Sequence, residues 1–566
     1  MNNLLKFLTN NFLIVNFLFL LIGCSNQDSI KDDSKTSLKK EKRPNIIVIL
    51  TDQERYPTHW PAGWAEKNLI SNERLKKNGL FFQRAYTAAS ECTPSRAVLT
   101  TSEHYPINKV PSTPSKTGLP SADELMDIGS LLRKHTDYDV VWKGKWHLSP
   151  PLDGGYNWTE KDIANIQEKY DLYGWTPPDA GNAILEFEKN TGGTSFDGLS
   201  TLGGGYANND LRYLYGSSKT TPKETPGWGD GVLDYLKKVS ATDAKDRKPF
   251  CLFISLVNPH DVWVYPTVWE KAGYKKEDFA NMGIDLPDNY ADDLTTKPSV
   301  QLKARQAYNK QSPLKDSIAE KEYVNFYAYL NKKADEHIVK ILDSLDAMGL
   351  TEDTIIIRTA DHGELGLSHG MREKAYTVYE EMIHIPLIIS NPKLFPNPRI
   401  TDALYCHLDL LPTIAELAGV PEFGQYGKGV SIVPILQNKV TSVQDSILFT
   451  YDDNFFLPTD VPGGHIRAIR QGDWVYAVYY SENGTNFEYE MYNLKDDPGQ
   501  LHNLLHNNVS PEITREADRL HHDLNEKIDQ SAALPIGLRG LPPLNNPPPK
   551  GQRPSGLPVH ASPSSY

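Results

Sequence analysis

Cysteine is scarce in this chain of 566 residues. Only Cys24, Cys92, Cys251 and Cys406 occur, whereas proteins that depend on disulfides carry many more cysteines per residue. A disulfide framework is therefore excluded as the source of stability. At 39% hydrophobic residues, a chain of this length can bury a large core, and its length predicts roughly two to four domains, although one large α/β unit can take up much of it. Cys251 and Cys406 lie in apolar surroundings, so we expect reduced core thiols, although the sequence leaves a disulfide between them open.

Positive charge is also in deficit. Lys and Arg number 59 against 72 Asp and Glu, which gives a formal net charge of −13, and the pI is about 5.7. No basic stripe interrupts this acidic composition, and a protein without such a stripe is repelled by a phosphate backbone. The composition therefore excludes nucleic acid as a partner.

Long apolar runs are absent except near the amino terminus. Residues Phe12–Ile22 have the length of a signal-peptide core and are too short to span a bilayer. The run ends in Leu-Ile-Gly-Cys, which resembles a bacterial lipobox, so residues 1–23 are predicted to be a lipoprotein signal peptide and Cys24 the lipidated residue; an ordinary secretory signal is the alternative. Residues 24–43 are charged and lack aromatics, which predicts a flexible tether. We expect an exported protein, attached to the membrane through its lipid anchor only, in the periplasm or at the cell surface on the outer membrane.

Three apolar runs each lead into a polar cluster. They are Asn45–Leu50 before Asp52, Phe250–Val257 before His260, and Thr354–Thr359 before Asp361. Such runs are typical of strands buried on both faces of a parallel sheet, and open α/β sheets bind ligands at the carboxyl ends of their strands. With helical periodicity between the runs, clearest over 322–348, the pattern predicts a doubly wound α/β fold with one site.

The composition changes after about residue 440. Residues 44–440 are predicted to form the catalytic domain, and residues 441–535 a smaller α+β subdomain. That subdomain is expected to contain an antiparallel meander of strands at 465–470, 474–480 and 487–492 and a helix from about 510 to 530. Residues 536–566 form a Pro-rich tail.

The segment Cys92-Thr93-Pro94-Ser95-Arg96 carries the most information. Thr93-Pro94 is typical of a helix start, so Cys92 is predicted near a helix N-terminus, where unpaired amides favour negative charge. A buried structural thiol is the simpler interpretation. The pentapeptide nevertheless resembles the maturation signature of sulfatases, in which Cys is oxidised to formylglycine. Further segments resemble sulfatase motifs in the same order: Asp52, Gly144-Lys145-Trp146-His147-Leu148, Asp361-His362-Gly363, Lys374 with Tyr376 and Glu380, and residues 491–498.

This resemblance implies an alkaline-phosphatase-like fold: a large mixed, mostly parallel sheet sandwiched by helices, with a smaller C-terminal antiparallel sheet and helix. It implies that a formylglycine-forming maturation enzyme converts Cys92 and that the hydrated aldehyde attacks sulfur. It also implies one divalent cation, with ligands from Asp52, Gln53, position 92, Asp361 and His362. We expect Ca²⁺, with Mg²⁺ or Mn²⁺ as alternatives, because Gln53 and His362 stand where many members have Asp and Asn. His362 is either a direct ligand or a hydrogen-bonding partner of one.

The same motifs imply the remaining roles. Arg96 would hold the formylglycine hydrate, and Lys145 and Lys374 would bind sulfate oxygens. His147 would be the base acting on the diol, and His260 would contact the substrate and protonate the leaving oxygen. Without the motifs, solvated side chains or surface salt bridges would be the ordinary interpretation of these residues.

The segment between 150 and 228 bears on the substrate. It is rich in Gly and aromatics, which predicts either a sugar-stacking wall or the core of an irregular insertion: Tyr156, Trp158, Tyr170, Tyr173, Trp175, Tyr206, Tyr213 and Tyr215. Since the motifs imply a sulfatase, this segment and export together predict a sulfated carbohydrate as substrate, such as ulvan, carrageenan, fucoidan or glycosaminoglycans. The alternatives are a phosphonate or phosphate monoester hydrolase of the same superfamily, a non-catalytic glycan-binding lipoprotein, and a cysteine hydrolase using Cys92.

Overall fold

The computed structural model describes residues 43–113, 118–149, 160–170, 209–215, 231–453, 461–481, 484–534 and 541–542. The predicted signal peptide, Cys24, the tether before Arg43 and nearly all of the Pro-rich tail lie outside these residues. So do five of the aromatic residues predicted to be a sugar-stacking wall: Tyr156, Trp158, Tyr173, Trp175 and Tyr206. In the part of the chain that is described, no helix combines the length and apolarity needed to cross a membrane.

The described residues contain eleven strands and fourteen α-helices. The strands are β1 Asn45–Asp52, β2 Gly79–Tyr86, β3 Asp139–Gly144, β4 Phe250–Pro259, β5 Thr354–Ala360, β6 Leu387–Ser390, β7 Arg399–Cys406, β8 Ser446–Tyr451, β9 His465–Gln471, β10 Trp474–Tyr480 and β11 Phe487–Asn493. The helices are α1 Trp64–Asn68, α2 Ile70–Lys77, α3 Cys92–Thr101, α4 Ile128–His135, α5 Glu160–Tyr170, α6 Asn209–Tyr215, α7 Val232–Ala241, α8 Lys276–Phe279, α9 Ser299–Gln311, α10 Ser317–Ala347, α11 Glu380–Ile383, α12 Leu410–Leu417, α13 Val433–Leu436 and α14 Pro511–Ser531.

Strands β1 to β7 form one mixed sheet in the order β3-β4-β1-β5-β6-β2-β7. The pairs β1–β4, β1–β5, β3–β4 and β2–β7 are parallel, and only β6 runs antiparallel to its neighbours β5 and β2. In β1, Ile46 and Val48 pack into one core cluster while Ile47 and Ile49 pack into another, because successive side chains of a strand point to opposite faces. The predicted mixed, mostly parallel sheet with two buried faces is confirmed.

A second, antiparallel sheet has the order β11-β10-β9-β8. Strands β9 to β11 confirm the three predicted segments, and α14 covers the sheet through Leu520 and Leu524. Strand β8 was not predicted. Its six residues are all buried, so it lacks the apolar–polar alternation from which the meander was predicted. Side chains of both sheets share one core cluster, which includes Tyr86, Phe449 and Tyr479.

Helix α10 covers β4 and the loops after β1. It begins at Ser317, earlier than the predicted 322, because Asp316 caps it by accepting hydrogen bonds from the backbone amides of Ile318 and Ala319. The strand order and the parallel pairing place the carboxyl ends of β1, β3, β4 and β5 side by side. The polar clusters predicted from the sequence follow these strands.

Candidate active site

Two acidic side chains meet where neighbouring strands end. Thr51 of β1 pairs with Ala360 of β5, and the amide of Asp361 donates to the carbonyl of Thr51 at 3.1 Å. Asp52 and Asp361 are therefore adjacent, and both are fully buried. Gln53 follows with φ 67°, a left-handed conformation that is uncommon for a residue with a Cβ and that turns the chain sharply at the site. The backbone amide of Gln53 donates to Asp361 Oδ1 at 3.0 Å.

The end of β3 brings in Lys145 through a close backbone approach. Gly144 has φ 101°, and a Cβ there would lie 2.0 Å from the carbonyl oxygen of Ser255 in β4, so only glycine fits. The next amide, that of Lys145, donates to the same carbonyl at 3.0 Å. The Nζ atom of Lys145 then lies 2.7 Å from Asp52 Oδ2.

Cys92 is the first residue of α3, as the sequence predicts, and it is buried. Its Sγ lies 3.1 Å from His362 Nε2, 3.6 Å from Asp52 Oδ1 and 3.7 Å from Lys145 Nζ. The helix is fixed below the site because Ser95 Oγ donates to the carbonyl of Asp361 at 2.6 Å. The N-terminus of α3, the positive end of the helix dipole, therefore borders a cluster that contains both acids and bases.

Arg96 binds both aspartates from one side. Its Nη2 donates to Asp52 Oδ2 at 2.8 Å and its Nε to Asp361 Oδ2 at 2.9 Å, while Nη1 donates to the carbonyl of Lys145 and to Ser255 Oγ. The guanidinium thus occupies one oxygen of each carboxylate. The two Oδ1 atoms face the other way, toward Cys92 and His362.

The donor atoms of Asp52, Cys92, Asp361 and His362 all lie within 4.8 Å of one another. The Nδ1 atom of His362 is 2.9 Å from the carbonyl of Gly363, so Nδ1 carries the proton and the lone pair of Nε2 faces the cluster. Two carboxylate oxygens and one imidazole nitrogen are therefore available, together with the amide oxygen of Gln53. This donor set fits a divalent cation of the Ca²⁺, Mg²⁺ or Mn²⁺ type.

The electrostatics oppose a thiolate at position 92. Burial works to raise the pKa of Asp52, but Lys145 and other positive groups hold it well below its ordinary value. Burial and the negative charge of Asp52 raise the pKa of the Cys92 thiol to about 12. The thiol is therefore neutral near pH 7 and a weak nucleophile. This argues against a cysteine hydrolase.

Two histidines near the site have buried ring nitrogens without a hydrogen-bond partner among the described residues. Neither ring nitrogen of His147 has a hydrogen-bond partner, and Nδ1 of His260 has none. Burial and then Lys145 lower the pKa of each imidazole well below its ordinary value. Both imidazoles are therefore neutral near pH 7. For Lys374, burial works to lower the pKa, but Cys92 and nearby carboxylates raise it, so the side chain stays charged.

Many of the predicted site residues thus lie in one cluster of contacts: Asp52, Gln53, Cys92, Arg96, Lys145, Asp361, His362 and Lys374. Glu380 lies outside it and contacts Tyr86, His384 and Arg470. Residues 44–420, more than half of the chain, match the sulfatase family. The chain belongs to the sulfatase family. It is a sulfuric ester hydrolase with the predicted fold, and residues 367–530 also match the C-terminal region of N-sulphoglucosamine sulphohydrolase.

Individual relatives of this sulfatase are distant but cover most of its length. An ulvan-active sulfatase of Formosa agariphila is 24% identical over 568 residues, which covers 94% of this chain and 91% of the relative. An N-acetylglucosamine-6-O-sulfatase of Bacteroides thetaiotaomicron is 22% identical over 518 residues, covering 82% and 83%. The solved structure of a phosphonate monoester hydrolase from Silicibacter pomeroyi has a similar fold, with a TM-score of 0.61, 19% identity and coverage of 86% of this chain and 96% of that one.

The structure of this sulfatase also revises part of the sequence interpretation. Tyr170 and Tyr213 are buried, and the hydroxyl of Tyr170 donates to the carbonyl of Leu119 at 2.5 Å, so these two rings are core residues and not a sugar-stacking wall. Cys251 and Cys406 are buried free thiols, as expected, and the disulfide left open by the sequence is absent.

Three side chains that the sequence interpretation missed contact the predicted site residues. Ser255 accepts from Arg96, and the carboxylates of Glu364 and Glu373 both accept from the amide nitrogen of Gln53. A signal existed for the two glutamates, since Glu364 follows Asp361-His362-Gly363 and Glu373 precedes Lys374. Ser255 had none, because a Ser within a buried strand is ordinarily a packing residue.

Proposed function

We propose that this sulfatase hydrolyses sulfate esters of carbohydrates with a formylglycine made from Cys92 by a maturation enzyme. The position of Cys92 carries the proposal. Its side chain stands at the N-terminus of α3 within reach of Asp52, His362 and Lys145, yet its thiol is too weak an acid to serve as a thiolate. The hydrated aldehyde supplies an oxygen nucleophile and releases sulfate as the aldehyde reforms, so no stable covalent adduct remains.

The metal in this proposal is Ca²⁺, with Mg²⁺ or Mn²⁺ as alternatives. Asp52 and Asp361 would bind through Oδ1, since Arg96 takes each Oδ2. His362 would bind through Nε2 and Gln53 through Oε1. When bound, the cation would supply Lewis acidity to the reaction.

The remaining side chains handle the anion and the protons. Lys145 and Lys374 hold sulfate oxygens as point charges, and Arg96 holds the hydrate and keeps both aspartates ionised. His147, a neutral imidazole without a partner, takes the proton of the attacking hydroxyl. His260 gives a proton to the leaving oxygen. The positive charges of Lys145 and Lys374 lower the pKa of His260, and the negative charge of the bound sulfate offsets them, so that His260 can carry this proton. One water is consumed, and the alcohol and sulfate leave.

The carbohydrate part of the proposal rests on relatives. Sulfatases similar over more than four fifths of the chain are named for ulvan and for N-acetylglucosamine 6-O-sulfate esters. Export and a lipid anchor at Cys24, in the periplasm or on the outer membrane, agree with a polymeric substrate that does not enter the cell. The sugar and the position of its sulfate are left open within this proposal.

Mass spectrometry of the peptide across Cys92 tests the chemistry. We expect aldehyde in place of thiol in active protein, and no sulfate release from Cys92→Ala at unchanged stability. The matched control is Cys251→Ala, which removes another buried free thiol and should keep its turnover. Unmodified thiol in fully active protein, or turnover by Cys92→Ala, would refute the mechanism. Parallel kinetics on aryl sulfate and aryl phosphate test the phosphate monoester alternative.

A further inference from the structure

The side-chain amide of Gln53 is held from both ends. Its Nε2 donates to Glu364 Oε2 and, at 3.2 Å, to Glu373 Oε2. Its Oε1 accepts from the ammonium of Lys374. An ammonium only donates and a carboxylate only accepts, so a single orientation of the amide satisfies all three neighbours.

Glu364 is itself fixed, and fixed in one orientation. It is fully buried, and its Oε1 accepts from the hydroxyl of Tyr323 at 2.8 Å and from the backbone amides of Gly366 at 2.9 Å and Glu373 at 3.0 Å. Three donors on Oε1 leave Oε2 for Gln53. Glu373 holds the amide less tightly, because its side chain is partly exposed and its Oε2 also lies 3.6 Å from Lys374 Nζ.

We propose that Glu364 is a positioning residue, which turns the amide oxygen of Gln53 into the pocket where the cation and sulfate bind. This inference rests on the metal site of the proposed function. Without Glu364, only the ammonium of Lys374 and the longer bond to Glu373 orient the amide of Gln53. A reversed amide would present its NH₂ donors to the cation, which no cation accepts. Glu364 thus makes a neutral side chain behave as a reliable oxygen ligand.

The decisive variant is Glu364→Gln, which keeps shape and removes one acceptor. Because the two backbone amides of Gly366 and Glu373 need an acceptor, the new amide must place its oxygen on them and its NH₂ toward Gln53. Facing that NH₂, Gln53 either turns Oε1 to position 364 and Nε2 to the pocket, against the ammonium of Lys374, or loses its hydrogen bond to position 364. We expect the Kd for Ca²⁺, measured by calorimetry with Ca²⁺ alone on the full chain, to rise about 10- to 100-fold.

The double variant Gln53→Glu/Glu364→Gln provides the rescue. A carboxylate at 53 accepts from the NH₂ of the new residue 364 and still offers an oxygen to the pocket, so Ca²⁺ affinity should return to within about threefold of the wild type or exceed it. The matched control is Glu373→Gln, whose amide is free to present its oxygen to Gln53, and which should change Kd by less than about threefold. A purely structural role for Glu364 predicts no such rescue.

The outcomes distinguish failure of the role of Glu364 from failure of the proposed metal site. Two results would overturn the role of Glu364 alone while the wild type still binds Ca²⁺. One is a Kd for Ca²⁺ that is the same in Glu364→Gln as in the wild type, and the other is no rescue in the double variant. No binding of Ca²⁺, Mg²⁺ or Mn²⁺ by the wild type overturns the metal site and this inference with it. Should Glu364→Gln fail to fold, Tyr323→Phe removes one of the three bonds that orient Glu364. A Kd raised about threefold then supports the inference, and an unchanged Kd overturns it.

Discussion

Arg96 compensates two buried aspartates at once, and replacing it with methionine tests how much that compensation contributes. The guanidinium, Asp52 and Asp361 are all 0% exposed. Arg96→Met keeps the length and apolar stem of the side chain and removes its charge. Asp52 retains Lys145 on the same oxygen, so the uncompensated charge falls mainly on Asp361.

The expected loss follows from burial. Breaking a buried ion pair from one side costs about 3–5 kcal/mol, because the remaining charge stays in a medium of low dielectric constant. Asp361 partly escapes this cost by taking up a proton, since burial and the charge of Asp52 already raise its pKa. We therefore expect the free energy of unfolding of Arg96→Met to fall by about 3 kcal/mol or more at pH 7 in EDTA.

The surface offers a matched control in Arg74, which also joins two aspartates. Its Nη1 lies 2.5 Å from Asp343 and its Nη2 lies 3.0 Å from Asp346, but those carboxylates are 64% and 57% exposed. Arg74→Met should cost about 1 kcal/mol at most. Urea unfolding followed by the fluorescence of the ten tryptophans measures both variants. Equal losses in the two would refute the argument from burial.

Three further predictions concern backbone, pH and metal. Gly144→Ala should lower the melting temperature by far more than Gly472→Ala. A Cβ at position 144 would lie 2.0 Å from the carbonyl oxygen of Ser255, whereas a Cβ at position 472, also at positive φ, would have no atom within 4 Å and would cost only about 1–2 kcal/mol of strain. Similar shifts in the two variants would contradict this. Burial, then Lys340, lowers the pKa of His337 from 6.5 to about 3. Below pH 6.5 the unfolded chain therefore takes up a proton that the folded chain does not, and the free energy of unfolding falls as pH falls. In urea titrations, His337→Leu should remove about 2 kcal/mol of the fall in this free energy between pH 7 and pH 5, and an unchanged fall would contradict the shift. Dialysis against EDTA should lower kcat about tenfold or more, with recovery on adding Ca²⁺, and full activity in EDTA would exclude the metal role.

Much of the fold was predictable because buried parallel strands are nearly continuous apolar runs. The runs at 45–50, 250–257 and 354–359 became β1, β4 and β5, which adjoin one another in the sheet. The carboxyl ends of adjacent parallel strands lie at one edge, so the convergence of Asp52 and Asp361 followed from topology alone. Strand β8 escaped because its burial on both faces removes the alternation that marks a meander strand.

The supporting residues of the site were harder to predict for a different reason. Ser255 acts through a backbone approach of β3 to β4, which depends on the register of the two strands and on the φ of Gly144. Glu364 accepts a hydrogen bond from Tyr323, 41 positions earlier in the chain. The position of Glu364 after Asp361-His362-Gly363 is a local signal. Its bond to Tyr323 and the approach at Ser255 have none, because tertiary packing between separate elements makes them.

The pairing of the buried cations bears on which anions the pocket admits. Lys145 is paired with Asp52, and Lys374 with Gln53 and Glu373, so each charge is already compensated before substrate binds. In the proposed roles, a sulfate monoester brings one negative charge, which the two ammonium groups would share while Arg96 keeps both aspartates. A phosphate monoester dianion would bring a second charge into the same low-dielectric space, where only the proposed divalent cation would be left to offset it. A phosphonate monoester is a monoanion, like a sulfate ester. Comparing aryl sulfate with aryl phosphate therefore tests discrimination by charge, and comparing aryl sulfate with aryl phosphonate tests discrimination by the central atom.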